Sequence, residues 1–548
     1  MRRTVIRRSI ALFISLILCF QVGLVANAQT RGNNTYTYDV NAEPLALRDA
    51  YEVDSILDGE SIGIGRFSDI NSLYVKDGLL YICDSGNNRI VVLDDEYQCV
   101  EEIAAFVNQA GQEDSLKYPT DVAVASNGDR YIADSQNNRI VVLSKAGDHV
   151  ATIDKVDSDI LGQNFVFTPS KLVLDSADNL YVTAKGVTQG IMDMNLDGTV
   201  NSFLGAAKVD FDLWQFLLKT FFTEEQVNQM LKIVPTEYNN IFMGPDDFIY
   251  GTVNSPDPKK LRSYIQSQLY LADGTDLKKI NESLVEKLER MMTISTNQTG
   301  QNDVVKKINM KGDDILKRTG YHPIVGDLKY DIIDIKTGDS DATKARVSTN
   351  GPSQFVDIVV HPNGSYSVLD QTRSRIFTYD PYGVLLYAFG ETGTADGQFS
   401  TVSSIELFND KLVVADGVRN TVTLFRPTEF AVAVEQAMLD YSKGNYEEAL
   451  VNWKKSVTIC SNFEVGYMGV GRSLLRLKEY EEAMKYFKLA EYREGYDQAY
   501  EHYRQEQLRG PLGAAICWTV VGLVVLVFVW KIVKKRIRQK SANQAVKK

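Results

Sequence analysis

Between residues 51 and 427 the apolar residues fall in short runs separated by polar turns, and the runs repeat. Tyr81-Ile-Cys-Asp-Ser-Gly-Asn-Asn-Arg-Ile-Val-Val-Leu93 recurs 50 residues later as Tyr131-Ile-Ala-Asp-Ser-Gln-Asn-Asn-Arg-Ile-Val-Val-Leu143. Looser copies pair Leu180–Thr183 with Ile191–Met194 and Phe248–Thr252 with Val305–Ile308, and closer ones lie at Tyr366–Tyr379 and Leu412–Phe425. Each copy has an apolar strand, an Asp/Asn/Gly turn and a β-branched strand, preceded by another short strand such as Val122–Val124. Four short strands per unit and six units predict a six-bladed β-propeller. The sixth unit has strands near Ile405–Phe408, Lys411–Ala415 and Thr421–Phe425 and lacks an outer one. Tyr51–Leu57 resembles the outer strands Val150–Ile153 and Leu385–Phe389, so an N-terminal strand is expected to complete the ring and remove two sheet edges.

The turns Asp84–Arg89 and Asp134–Arg139 carry the D-x-x-N-x-R pattern and resemble NHL repeats. From Val432 the period becomes helical. Ala449 to Ala483 and Trp453 to Phe487 are both 34 residues apart. Small alanines let paired helices approach, and aromatics fill the space beside them. This stretch resembles two tetratricopeptide repeats with a capping helix around Asp497–Leu508. The fold class expected is therefore mainly β with α: a six-bladed NHL-like propeller (51–427), then an α-helical tetratricopeptide array (430–508).

Two apolar segments bear on the compartment. Arg2, Arg3, Arg7 and Arg8 precede an apolar stretch from Ser9 to Val25 and the small triplet Ala26-Asn27-Ala28. This is the layout of a secretory signal peptide (1–28), cleaved after Ala28 or kept as a signal anchor, with 29–50 read as a linker. Leu512 to Trp530 is 19 residues without a charge, enough for a transmembrane helix across about 30 Å of hydrocarbon. Trp518 and Trp530 suit its two interfaces. The tail 531–548 holds eight Lys/Arg and no acid. Positive charge stays inside, so the expected localisation is the cell membrane, single-pass, with the body extracytoplasmic and the C-terminus cytoplasmic.

Composition adds a segregation of charge. The chain of 548 residues carries 59 basic and 71 acidic residues, a net of −12. Residues 29–530 hold all of the acids and 47 of the bases. Such an acidic body repels phosphate backbones and argues against nucleic acid as a partner. Cys19 and Cys517 lie in the two apolar segments. Cys83 and Cys99 fall on strands separated by another strand, beyond disulfide reach when neighbouring strands are about 4.8 Å apart. No disulfide framework is expected.

Antiparallel strands stepping outward from the channel place the b–c turns and the connections between blades on one face. Three long insertions, 205–238, 254–302 and 320–354, all fall there and include amphipathic stretches at Leu213–Phe222 and Leu277–Met292. Long loops over a scaffold carry recognition, so this rim is the expected functional face; the alternative is a seat for the helical array. The aligned inner strands add a polar ring at the same mouth: Ser72, Asp121, Lys171, Asn240, Asp357 and Ser404. Such a ring is a candidate ligand site for a sugar, a peptide or a cation, or else a solvated channel lining. Asp84, Arg89, Asp134, Arg139, Asp370 and Arg375 are read as structural turn residues.

Enzymatic signals are sparse. The four histidines, His149, His322, His361 and His502, have no paired spacing. No catalytic residue, metal ligand set or cofactor is assigned. The NHL-type amidating lyases use several metal-binding histidines, which these four do not supply. Gluconolactonase-like propellers bind a divalent metal through Glu, Asn and Asp. Asp121, Asn240 and Asp357 imitate that set in part, but Lys171 places a cation among them. The combination of domains resembles NHL–tetratricopeptide envelope proteins of Gram-positive bacteria. That resemblance implies a scaffold beside a carbohydrate ABC transporter or its binding protein. The propeller face would take an extracellular glycan, peptide or protein and the helical repeats a membrane partner. A metal-dependent, lactonase-like hydrolase in the channel is the alternative.

Overall fold

The computed structural model describes residues 35–158, 160–161, 165–205, 237–253, 304–328, 332–335, 345–348 and 353–545. The signal segment 1–28, both amphipathic stretches and most of the three insertions lie outside the described residues.

Antiparallel ladders follow the repeats. Blade one comprises Ile70–Lys76, Leu79–Asp84, Arg89–Leu93 and Cys99–Ile103. Blade two comprises Pro119–Val124, Arg130–Asp134, Arg139–Leu143 and His149–Ile153. Blade three has Pro169–Leu174, Leu180–Ala184, Ile191–Met194 and Val200–Leu204. Blade four has three strands among the described residues, Tyr238–Met243, Ile249–Val253 and Val305–Ile308. Blade five runs Phe355–Val360, Tyr366–Asp370, Arg375–Tyr379 and Leu385–Phe389. Blade six runs Val402–Phe408, Lys411–Asp416 and Thr421–Pro427, and Tyr51–Leu57 pairs antiparallel with the last of these. Each inner strand lies beside the next, and the sixth lies beside the first, so the ring is closed.

Strands buried on both faces read as continuous apolar runs, as Leu79–Cys83 and Tyr131–Ala133 do. The core is divided into seams between blades. Cys83, Ile90 and Val92 of blade one meet Val122, Ile132 and Val141 of blade two. The blade-five to blade-six seam is aromatic: Tyr51 stacks on Phe389 at 5.2 Å, and Phe389 meets Phe425 edge-on at 5.5 Å.

From Thr35 on, the segment read as a linker is ordered against the propeller. Tyr36–Tyr38 pairs with Pro44–Ala46, and Tyr36 also pairs with Ala388 on the outer strand of blade five. Asp327 holds it there. Its carboxylate accepts from the Tyr36 hydroxyl, from Tyr38 Oη at 2.9 Å and from Arg375 Nη1 at 2.6 Å, with Arg373 Nε at 3.1 Å. The pattern missed these strands because each is three residues long, and what fixes the first of them, Ala388 and Asp327, lies about 300 residues further along the chain. The N-terminal chain thus covers the outer edges of blades five and six in succession.

The second compact unit begins at Ala433. The helices are α1 (Glu429–Lys443), α2 (Tyr446–Ile459), α3 (Glu464–Arg476), α4 (Tyr480–Leu489), α5 (Arg493–Arg509) and α6 (Pro511–Ala545). Ala449, Ala483 and Phe487 are fully buried, and Trp453 nearly so. Helix α3 approaches its neighbours closely because it carries glycines. A Cβ on Gly469 would stand 2.4 Å from the Trp453 ring, and one on Gly471 would stand 2.6 Å from Phe487. The apolar run expected at 512–530 does not end its helix at Trp530; α6 continues through the basic residues to Ala545. Its stretch Gly513–Gln539 is long and apolar enough to cross a membrane, and none of its most apolar 18-residue window is buried.

Candidate functional site

In all six blades the inner strand carries a register shift immediately before the polar position. The shifts lie between Ile70 and Ser72, Pro119 and Asp121, Pro169 and Lys171, Tyr238 and Asn240, Phe355 and Asp357, and Val402 and Ser404. A bulge adds one residue and re-aims the side chain that follows. The six expected ring residues are brought together, and all are buried, at 0–7% exposure.

Their hydrogen bonds run from blade to blade. Asp121 accepts from Ser72 Oγ at 2.7 Å and from Leu172 N of the following blade at 2.9 Å. Asp357 accepts from Asn240 Nδ2 of the preceding blade, from Ile358 N at 2.7 Å, and from Ser404 Oγ and Ile405 N of the following blade at 2.6 and 2.7 Å. Ser404 Oγ then accepts from Leu73 N at 3.0 Å, which joins the last blade to the first. Lys171 behaves differently. Its ammonium passes over blade two and donates to Ser72 Oγ on blade one at 2.9 Å, with the Asn71 carbonyl 3.5 Å away. Lys171 therefore ties blade three to blade one.

The charges deepen the contrast with a solvated lining. Burial pushes the Asp357 carboxyl up to about 6, against the attraction of Lys171 and the donors around it. Burial also raises Asp121, again opposed by Lys171. Glu406 lies two residues beyond Ser404, on the same face of a strand. Burial, aided by the nearby Asp357 and Asp121 carboxylates, raises it well above the usual range. It is 7% exposed, and its Oε2 accepts from Leu407 N at 3.1 Å. The sequence reading missed Glu406; the period-2 face of the inner strand was the available signal. Cys83, paired with Ser72, is held as a thiol chiefly by burial and secondarily by Asp121. Cys83, Cys99, Cys460 and Cys517 are all free.

The turn residues make local clamps at the same end of blades one and two. Asp84, fully buried, accepts from Ser68 N at 2.7 Å, Asn87 Nδ2 at 2.9 Å and Arg89 Nε at 2.7 Å. Asp134 repeats this with Lys117 N at 2.6 Å, Asn137 Nδ2 at 2.8 Å and Arg139 Nε at 2.8 Å. Arg139 also makes a bidentate pair with Asp114 at 2.7 and 2.9 Å. Asn88 and Asn138 follow in the left-handed region at φ 57° and 54°, which asparagine tolerates better than most residues. Blade five departs from the scheme. Asp370 accepts from Gln354 N and Thr372 N, whereas Arg375 leaves the turn for Asp327.

Among the described residues no group of three or more His, Cys, Asp or Glu is arranged to hold a metal ion. The lactonase-type donor set does not fit the ring. Asp121 and Asp357 spend their oxygens largely on neighbouring blades, and the Lys171 ammonium sits among them on Ser72.

An NHL-repeat model matches residues 116–143, which span the first three strands of blade two and the turn between its second and third. The class is thus a six-bladed β-propeller carrying an NHL repeat. Virginiamycin B lyase from Staphylococcus aureus is similar over 69% of this chain and 100% of its own, at 10% identity and a TM-score of 0.34. The extracellular domain of a hybrid two-component system from B. thetaiotaomicron is similar over 70% of this chain and 44% of its own, at 9% identity and a TM-score of 0.34. The WD40 propeller domain of Doa1 is similar over 69% of this chain and 97% of its own, at 9% identity and a TM-score of 0.34. No curated protein matches the chain.

Proposed function

We propose that this protein is a membrane-anchored, extracytoplasmic binding and scaffold protein. Its propeller rim takes a glycan or protein ligand, and its helices, acting as tetratricopeptide repeats, dock a membrane partner. The observation that carries the reading is the union in one chain of a closed propeller, a helical array with 34-residue periodicity and an unburied apolar helix. The basic tail orients the anchor, with the body outside and the tail in the cytoplasm. The resemblance to Gram-positive envelope proteins points to a carbohydrate ABC transporter as the partner. Ligand contact through Ser72, Asp121, Lys171, Asn240, Asp357 and Ser404 belongs to the same proposal. It requires the Lys171 ammonium to leave Ser72, because the carboxylates of Asp121 and Asp357 are already taken up by backbone and side-chain donors.

Cross-linking in native membranes, followed by identification of what co-purifies, tests the scaffold. Recovery of a transporter subunit or envelope protein is expected, and recovery of neither counts against it. External protease on intact cells tests the orientation: the body is degraded, and a fragment containing residues 531–548 is protected.

A further inference from the structure

Helix α6 does not stop where its apolar run ends. Past Trp530 it continues as a helix through Lys531, Ile532, Val533, Lys534, Lys535, Arg536, Ile537 and Arg538. At about 100° per residue, Lys534, Arg538, Lys531 and Lys535 share one arc of the helix, with Trp530 at its edge. Val533 and Ile537 lie beyond Trp530 on the other side, and Arg536 stands apart. Trp530, Lys531, Lys534, Lys535, Arg538 and Gln539 together line a recess on this face. Lys534 Nζ sits 4.6 Å from the centroid of the Trp530 ring, so the indole holds one ammonium at the level where the apolar run ends.

From this placement we infer that the recess binds the phosphate-bearing headgroup of an anionic phospholipid. The inference rests on the anchoring proposed above and adds to it the identity of the lipid. Four cations within two helical turns, in a tail without an acid, demand counter-charge. An anionic headgroup supplies it at the depth that Trp530 marks. A zwitterionic headgroup carries its own ammonium, which the arc repels. Val533 and Ile537, 47% and 58% exposed, give the acyl chain beside that headgroup an apolar surface to lie on. A charge-driven contact of this kind weakens as salt rises.

The test uses the full chain reconstituted into liposomes of phosphatidylcholine alone or with phosphatidylglycerol. Flotation measures insertion, and native mass spectrometry after mild extraction measures retained lipid. The wild type is expected to float from both mixtures and to retain phosphatidylglycerol in preference to phosphatidylcholine. Lys531→Gln, Lys534→Gln, Lys535→Gln and Arg538→Gln, combined, should float equally well and lose that preference. Each charge removed should weaken retention about fivefold. Trp530→Leu should keep flotation and part of the preference. Excess inorganic phosphate should leave the bound lipid in place; its displacement would assign the recess to free phosphate and overturn the lipid assignment. Flotation without a phosphatidylglycerol preference, or a preference that survives in the quadruple variant, overturns this inference alone. Failure of the wild type to float overturns the anchoring reading, and the inference with it.

Discussion

Blades two and four solve the same closure problem with different means. Blade two has four strands, a complete Asp134–Asn137–Arg139 clamp and a buried Asp121 that reaches into blade three. Blade four has three strands among the described residues and ends its second strand at Val253 where blade two has Asp134. Among the described residues, the Thr252 hydroxyl beside its ring residue has no hydrogen-bond partner. Yet blade four keeps the inner-strand bulge, and Asn240 still donates to Asp357. Continuity of the ring therefore resides in the bulged inner strands, and the NHL turn is a local reinforcement that a blade can lose.

The largest effect tests closure itself. Deleting residues 35–57 uncovers the outer edges of blades five and six. The expected result is loss of a cooperative unfolding transition and a tendency to aggregate, read by circular dichroism and size-exclusion chromatography. A transition within a few degrees of the parent would show that the ring closes without its N-terminal strands.

Next comes the inner ring. Asp357→Ala leaves Asn240, Ser404, Ile358 N and Ile405 N without their acceptor and should cost about 3–5 kcal/mol. Asp134→Ala, which strips a clamp that blade four lacks, should cost about 1–3 kcal/mol. Denaturant midpoints measure both, and a larger loss at Asp134 would make the turn clamp, and not the inner ring, the stronger tie.

The pH dependence sharpens the same point within blade five. Burial lifts Asp357 to about 6 from an unfolded value near ~3.9. Its contribution is therefore full below that unfolded value and is lost as pH rises through about 6. His361, buried against Ser367 Oγ at 2.8 Å, is pushed down to about 4 from 6.5. Its contribution is full above its unfolded value and is lost as pH falls through about 4. The two run in opposite senses, each worth up to about 3 kcal/mol. His361→Gln should therefore make stability fall between pH 4 and 6, and Asp357→Asn should make it rise between pH 4 and 6.5, while the parent stays flatter than either. Parallel profiles in all three proteins would refute the assignment.

The smallest effect compares two threonines at equivalent positions. Thr183 Oγ1 accepts from Lys171 N at 3.2 Å, so Thr183→Val should cost about 1 kcal/mol. Thr252→Val removes a hydroxyl with no partner among the described residues and should be neutral or slightly stabilising. Equal losses at the two sites would mean that Thr252 has a partner in solution.

Much of this arrangement was legible in the residues. The repeated strand–turn–strand motif, the ring positions before each apolar triplet and the closing strand at Tyr51–Leu57 all follow local periodicity, which a reader can align by eye. Glu406 was missed because it is one carboxylate on one inner strand and has no counterpart in the other five copies. The Tyr36–Tyr38 strand was missed because its meaning lies in Asp327 and Ala388, far along the chain.

The sequence by itself determined the number of blades, the strand order within each, the helical array's 34-residue spacing and the asymmetry of charge about the last apolar run. Each is a property of residues near one another in the chain, where side-chain period and composition act directly. Only the tertiary structure decided what the polar ring does. Six positions that read as a ligand site or a solvated channel lining turn out to be bonded across blades, with Lys171 of blade three reaching Ser72 of blade one. The reason is physical: a carboxylate or amide buried between blades must find its partners there, and those partners are set by ring closure, which brings residues 72 and 404 side by side.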